Sequence, residues 1–162
     1  MNPQQKEQTH TQDELEDLVI ASSLTIPAAS FLPVGTSGPV DTLALWEIDQ
    51  ATGAIGGNRN SSGNYVVAPI VLTHGVRIRR FIVYCVSKTG SPLLELRFYK
   101  NRMLFPMREE FARIRATQHS DQVQLLATPE IDVEFDSRFS YWVASELHSS
   151  KHKILSVSLV TW

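Results

Sequence analysis

The chain has 162 residues, 43% hydrophobic and 20% charged, with 15 Lys and Arg against 17 Asp and Glu, a formal net charge of -2. That is one domain's worth of sequence with enough apolar residues for a single core, and 8 Gly with 8 Pro exclude a collagen-like, low-complexity or wholly disordered chain. The near-zero net charge argues against a generic nucleic-acid binder, and one cysteine, Cys85, excludes a disulfide framework or a cysteine-based zinc site.

Residues 1–21 read as a polar, acidic arm. Within it Leu15, Leu18, Val19 and Ile20 are the apolar positions of a short helix with acids in its first turn, too few for it to stand alone. No signal-type apolar run opens the chain, and no stretch approaches the ~18–20 apolar residues of a membrane span. The expectation is a soluble protein made in the cytoplasm.

From residue 22 the pattern changes to short apolar runs broken by turn chemistry. Leu24–Pro27 and Phe31–Val34 are extended pieces limited by proline, Thr42–Ile48 is a strand, and Gly53–Asn64 reads as a long loop. Tyr65–Leu72, Arg77–Val86 and Leu93–Lys100 are the strongest strands, separated by His74-Gly75 and Lys88-Thr89-Gly90-Ser91. Alternation puts Ile78, Arg80, Ile82 and Tyr84 on one face of the second, with Arg79, Phe81, Val83 and Cys85 on the other. In the third, Leu94, Leu96 and Phe98 face the core, while Glu95, Arg97 and Tyr99 face outward.

Residues 107–116 admit two readings. Met107, Phe111 and Ile114 suit a helix, whereas Ala112, Ile114 and Ala116 suit a strand with Arg113 and Arg115 outward, and the strand is preferred. Val123–Ala127, Ile131–Phe135, Phe139–Leu147 and Ile154–Trp162 complete a series with no long helical pattern between its members. Residues 22–162 are therefore expected to form an all-β domain, an antiparallel β-sandwich or barrel.

The net charge conceals blocks. Residues 74–115 carry ten Lys and Arg against three acids, a local +7, whereas residues 1–20 stand at -4 and residues 116–162 at -3. The densest acidic run, Glu130-Ile131-Asp132-Val133-Glu134-Phe135-Asp136, alternates acids with apolar residues. As a strand it sets four carboxylates about 7 Å apart along one face. Three uses are open to that row: a solvated or edge-protecting face, pairing with an arginine row such as Arg77/Arg79 or Arg113/Arg115 in this subunit or a neighbour, or catalysis or metal binding.

Other chemistry is sparse. No nucleophile elbow, zinc-protease motif, phosphate loop, EF-hand or kinase signature occurs, so neither an enzyme nor a cofactor is expected. His148 and His152 are four apart, but they flank a turn beside two lysines that oppose a cation. Cys85 shares its strand face with Phe81 and Val83, as a buried inert thiol does. The aromatic residues Trp46, Tyr99, Tyr141, Trp142 and Trp162 exceed what one core needs. Alternation turns Trp142 away from Tyr141 and Val143, where it can fill a subunit interface or stack on a sugar.

The segments Leu24–Phe31, Tyr65–Ile78, Phe81–Tyr84, Leu94–Lys100, Phe139–Val143 and Ile154–Trp162 together resemble a jelly-roll β-sandwich module found in phage virion proteins and bacterial surface proteins. The resemblance implies a non-enzymatic, oligomeric protein, with the trimer the expected state. The first functional expectation is accordingly a structural protein that decorates or cements a phage capsid or tail, tethered by its arm. Its interface residues would be Arg77, Arg79, Arg113, Arg115, Glu130, Asp132, Glu134, Asp136 and Trp142. The alternative is a carbohydrate- or receptor-binding module, with Trp142 or Tyr99 as the stacking residue.

Overall fold

The structure, a computed structural model, describes residues 23–33, 46–48, 54–57, 64–102, 108–148 and 151–162. The arm, with Leu15, Leu18, Val19 and Ile20, lies outside the described residues, as does Met107.

Twelve strands are described: β1 (Ser23–Pro27), β2 (Leu32–Pro33), β3 (Trp46–Ile48), β4 (Ile55–Gly57), β5 (Asn64–Ile70), β6 (Arg77–Ser87), β7 (Glu95–Arg102), β8 (Arg108–Arg115), β9 (Ser120–Ala127), β10 (Val133–Glu134), β11 (Phe139–Leu147) and β12 (His152–Thr161). Every pairing is antiparallel. One sheet, A, is centred on β6 and β12, with β9 and β10 along the other side of β6 and β1 and β4 along the other side of β12. The second, B, runs β2-β5-β11-β7-β8. The chain thus forms an antiparallel β-sandwich of jelly-roll type. Apart from 3-10 conformation at Ala28–Ser30 and at Lys151, no helix occurs among the described residues.

The core lies where the inner faces of the two sheets meet. Phe81 of β6 stacks on Phe98 of β7 at 3.8 Å between ring centroids, joining A to B, and Phe135 stacks on Tyr141 at 3.9 Å. Val66, Ala68, Val83, Leu96, Val143, Val157 and Leu159 fill the space between them. Each fully buried Phe or Leu contributes ~1.5–3 kcal/mol. Cys85 sits in this core, where burial pushes its thiol pKa up to about 12, so it is an inert filler.

Two sequence expectations are corrected by the structure, and a third feature explains an ambiguity in the sequence. Strict alternation fails in β6, because Ile78 joins Phe81 in the core while Ile82 and Tyr84 lie with Val160 on the opposite face. The β6–β12 register explains it: Arg80 faces Val160 and Ile78 faces Thr161, so Arg79 is the extra residue of a β-bulge. A second irregularity sits in β8, where Phe98 faces Ala112 but Tyr99 faces Glu110. Phe111 and Ala112 consequently both pack against the core, which is why this stretch carries a helix-like spacing although Arg108–Arg115 form the strand preferred from sequence. The second correction is that the loop expected over Gly53–Asn64 contains β4. Gly56 there lies so close to the β12 backbone that a Cβ would stand 3.1 Å from the His152 carbonyl oxygen, and a bare α-carbon lets the strand dock.

Candidate functional site

The two outer surfaces of the sandwich carry the charged and aromatic residues singled out in the sequence. On sheet A, the acidic segment meets the arginines of β6 within one chain. Arg77 pairs with Asp132 through two hydrogen bonds, and Arg79 reaches Glu130 at 3.1 Å. Arg80, only 3% exposed, contacts the same Glu130 at 3.5 Å. These contacts raise the Arg77 pKa and lower that of Glu130, in both cases chiefly through the side-chain hydrogen bond. The expected five-residue strand at 131–135 shortens to Val133–Glu134, paired to Ile78 and Arg77. Asp136 pairs instead with Arg138, whose side chain and backbone N–H hold its carboxyl pKa down to about 2. Trp162 is 62% exposed and carries the Arg79 guanidinium 5.0 Å from its ring centre.

Sheet B presents a different surface. Its inner residues on β11 are Tyr141, Val143 and Leu147, so Trp142, Ala144 and Glu146 face out. Across the sheet, Trp142 stands between Pro69 of β5 and Tyr99 of β7, and its ring lies against Tyr99 at 5.7 Å and 28°. Pro69 is tolerated because, among the described residues, β5 pairs with β2 at Val66 and Val67 and not at Pro69. Tyr99 itself is 3% exposed, with the Arg108 guanidinium 4.8 Å from its ring centre. It packs beside Trp142 and, being buried, offers no stacking face to a ligand, which corrects the expectation for Tyr99.

One row along the strands the surface sinks into a cleft of about 390 Å³. Ala144 is its floor, a short side chain that lets a ligand approach the sheet. Tyr65, 39% exposed, Glu146 and His148 form the wall towards β5 and β11, while Glu95, Arg97, Arg113 and Arg115 form the wall towards β7 and β8. Glu95 organises that second wall. Its carboxylate accepts from Arg97 Nε at 2.5 Å and lies 3.8 Å from Arg113, whose own Nε donates to Glu110 at 2.8 Å. Both guanidinium pKa values are raised, first by these side-chain hydrogen bonds. Arg115 faces Glu95 across the β7–β8 ladder and lines the cleft with no ion-pair partner among the described residues.

The end of the cleft is pinned from behind by His152. This side chain is fully buried; its Nε2 donates to the Pro92 carbonyl at 2.7 Å and its Nδ1 accepts the His148 backbone N–H at 3.2 Å. Both nitrogens are committed, so the His148/His152 spacing makes no metal site. Among the described residues no group of three or more His, Cys, Asp and Glu is placed to hold a metal ion. Tyr65 was not singled out in the sequence; the only signal for it was its outward parity opposite Val66, Ala68 and Ile70.

No protein-family model matches the chain, and no curated protein does. Several solved structures share its architecture. The CBM6 module CsCBM6-3 of Clostridium stercorarium, in complex with cellobiose, superposes with a TM-score of 0.53 at 10% identity, over 86% of this chain and 94% of that one. A xylan-binding module, CBM15, gives 0.51 at 11% identity over 86% and 97%. The CBM22-1-GH10 modules of Clostridium thermocellum Xyn10B, complexed with xylohexaose, give 0.52 at 10% identity over 87% of this chain and 28% of that one. At such identities the likeness shows the jelly-roll sandwich fold.

Proposed function

We propose that this protein is a carbohydrate-binding module whose ligand lies along the outer face of sheet B. The observation that carries the reading is an outward, half-buried Trp142 two residues along the same face of β11 from Ala144, the floor of a polar cleft walled by Tyr65, Glu95, Arg97 and Glu146. Sugars present C–H faces that lie on aromatic rings and hydroxyls that need both donors and acceptors. A rigid sheet carrying rings beside paired charged groups supplies all three. The similarity to carbohydrate-binding modules that share this fold supports the same reading.

The decoration role expected first from sequence loses one of its motives. Besides the resemblance and the polar arm, it drew on arginine and acidic rows seeking counter-charge in another copy, and Arg77, Arg79 and Arg80 find theirs in Asp132 and Glu130 of the same chain. The comparisons lend that role no support.

A glycan array read with the full chain tests the proposal. Reproducible binding that falls at least about tenfold in Trp142→Ala and in Tyr65→Ala is expected, and binding unchanged in both variants overturns it.

A further inference from the structure

We infer that the cleft on sheet B selects an acidic sugar, a uronate unit whose carboxylate lies against Arg113 and Arg115. This deepens the carbohydrate reading and rests on it.

The β7–β8 wall of the cleft is arranged at a cost in stability. Arg97 and Arg113 are direct cross-strand neighbours on β7 and β8, and like charges so placed repel. Glu95 lies between them and, with Glu110 beside Arg113, offsets part of that repulsion, but these are two carboxylates for three guanidiniums once Arg115, directly opposite Glu95 on β8, is included. Glu110 takes the outer side of Arg113, which holds that guanidinium by its Nε. Arg97 is held in the same way by Glu95. In each case the Nη groups are the part not fixed by that bond. Glu146, the other acid lining the cleft, belongs to the opposite wall, where it sits 3.5 Å from His148. The β7–β8 side of the cleft is therefore left with unbalanced positive charge, on side chains whose orientation is already set.

Charge type follows from geometry. A guanidinium presents parallel N–H donors that match the two oxygens of a planar carboxylate, and a pre-oriented fork loses little entropy on engaging it. A carboxylate on a sugar ring above Ala144 would relieve the Arg97–Arg113 repulsion and give Arg115 its counter-charge. The ring itself would rest towards Tyr65, on the far side of the Ala144 floor. A neutral sugar makes the same ring contacts and leaves the cationic wall as it is.

The test is titration calorimetry on the full chain with a panel of uronate-containing oligosaccharides, each paired with its carboxyl-reduced, neutral counterpart, and with one sulfated neutral oligosaccharide. In at least one pair the acid form should bind ten times or more tightly than its reduced partner. That preference should vanish in Arg115→Gln while the melting temperature stays unchanged. Arg113→Gln should weaken it in the same direction. A panel in which no acid form is preferred overturns the inference, as does equal or tighter binding of the sulfated sugar, or a preference that survives Arg115→Gln. Neutral glycans that bind in that case leave the carbohydrate reading standing. Loss of all glycan binding on the array is the separate failure that removes both.

Discussion

Sheet A and sheet B each display an arginine-rich surface, and they differ in what lies opposite the arginines. On sheet A, β6 is flanked by the 130–136 segment, so Arg77, Arg79 and Arg80 meet Asp132 and Glu130 on the adjoining chain segment. On sheet B, β7 is flanked by β8, itself basic, so Arg97 meets Arg113 across the ladder; Glu95 and Glu110 serve these two, and Arg115 has no ion-pair partner among the described residues. The same residue type in the same +7 block is thus structural on one surface and available on the other. The pairing partner decides the role, not the arginine itself.

Variants can break or sharpen this contrast. The largest effect is expected where both surfaces share their foundation. Phe81→Ala removes the ring stacked on Phe98 and should cost ~3–5 kcal/mol, read as a drop in denaturation midpoint that takes glycan binding with it. Arg80→Ala strips a buried arginine of sheet A from Glu130 and should cost ~2 kcal/mol with glycan affinity unchanged. A drop in affinity there would blur the separation between the surfaces.

His152 yields a pH dependence. Burial, first, holds its pKa below the ordinary 6.5, so on acidification the unfolded chain takes up that proton before the folded one. Stability is therefore full above about pH 6.5 and declines as pH falls below it. Protonated Nδ1 can no longer accept from His148, so the cleft loosens on that side. Thermal melts between pH 8 and 5 check this; a flat profile contradicts it. The smallest effect belongs to Asp132→Asn, which breaks an exposed pair on sheet A and should move neither the melting temperature nor binding measurably.

Much of the fold was legible in the residues. Phe139–Leu147 emerges as β11 with the expected bounds, and Trp142 points outward as its parity requires. What escaped were features decided by a neighbouring strand. The bulges at Arg79 and Phe111 arise from pairing with β12 and β7, and neither has a local turn residue to announce it. Tyr99 keeps its outward parity, yet Arg108 from β8 covers it. The choice of partner for the acidic row was open in sequence because Arg77/Arg79 and Arg113/Arg115 are equivalent there, and only topology brings the first pair beside it. Tyr65 and the cleft exist only once β5, β11, β7 and β8 lie side by side.

The central claim concerns place as much as chemistry, and chemical-shift mapping tests both at once. Titrating the array-selected oligosaccharide into isotope-labelled protein should shift the backbone resonances of Tyr65, Arg97, Arg113, Arg115, Trp142, Ala144 and Glu146 together, leaving Arg77, Arg79 and Glu130 unmoved. Shifts concentrated on the sheet A surface, or at the hollow near Val71 and Phe139, would contradict the account.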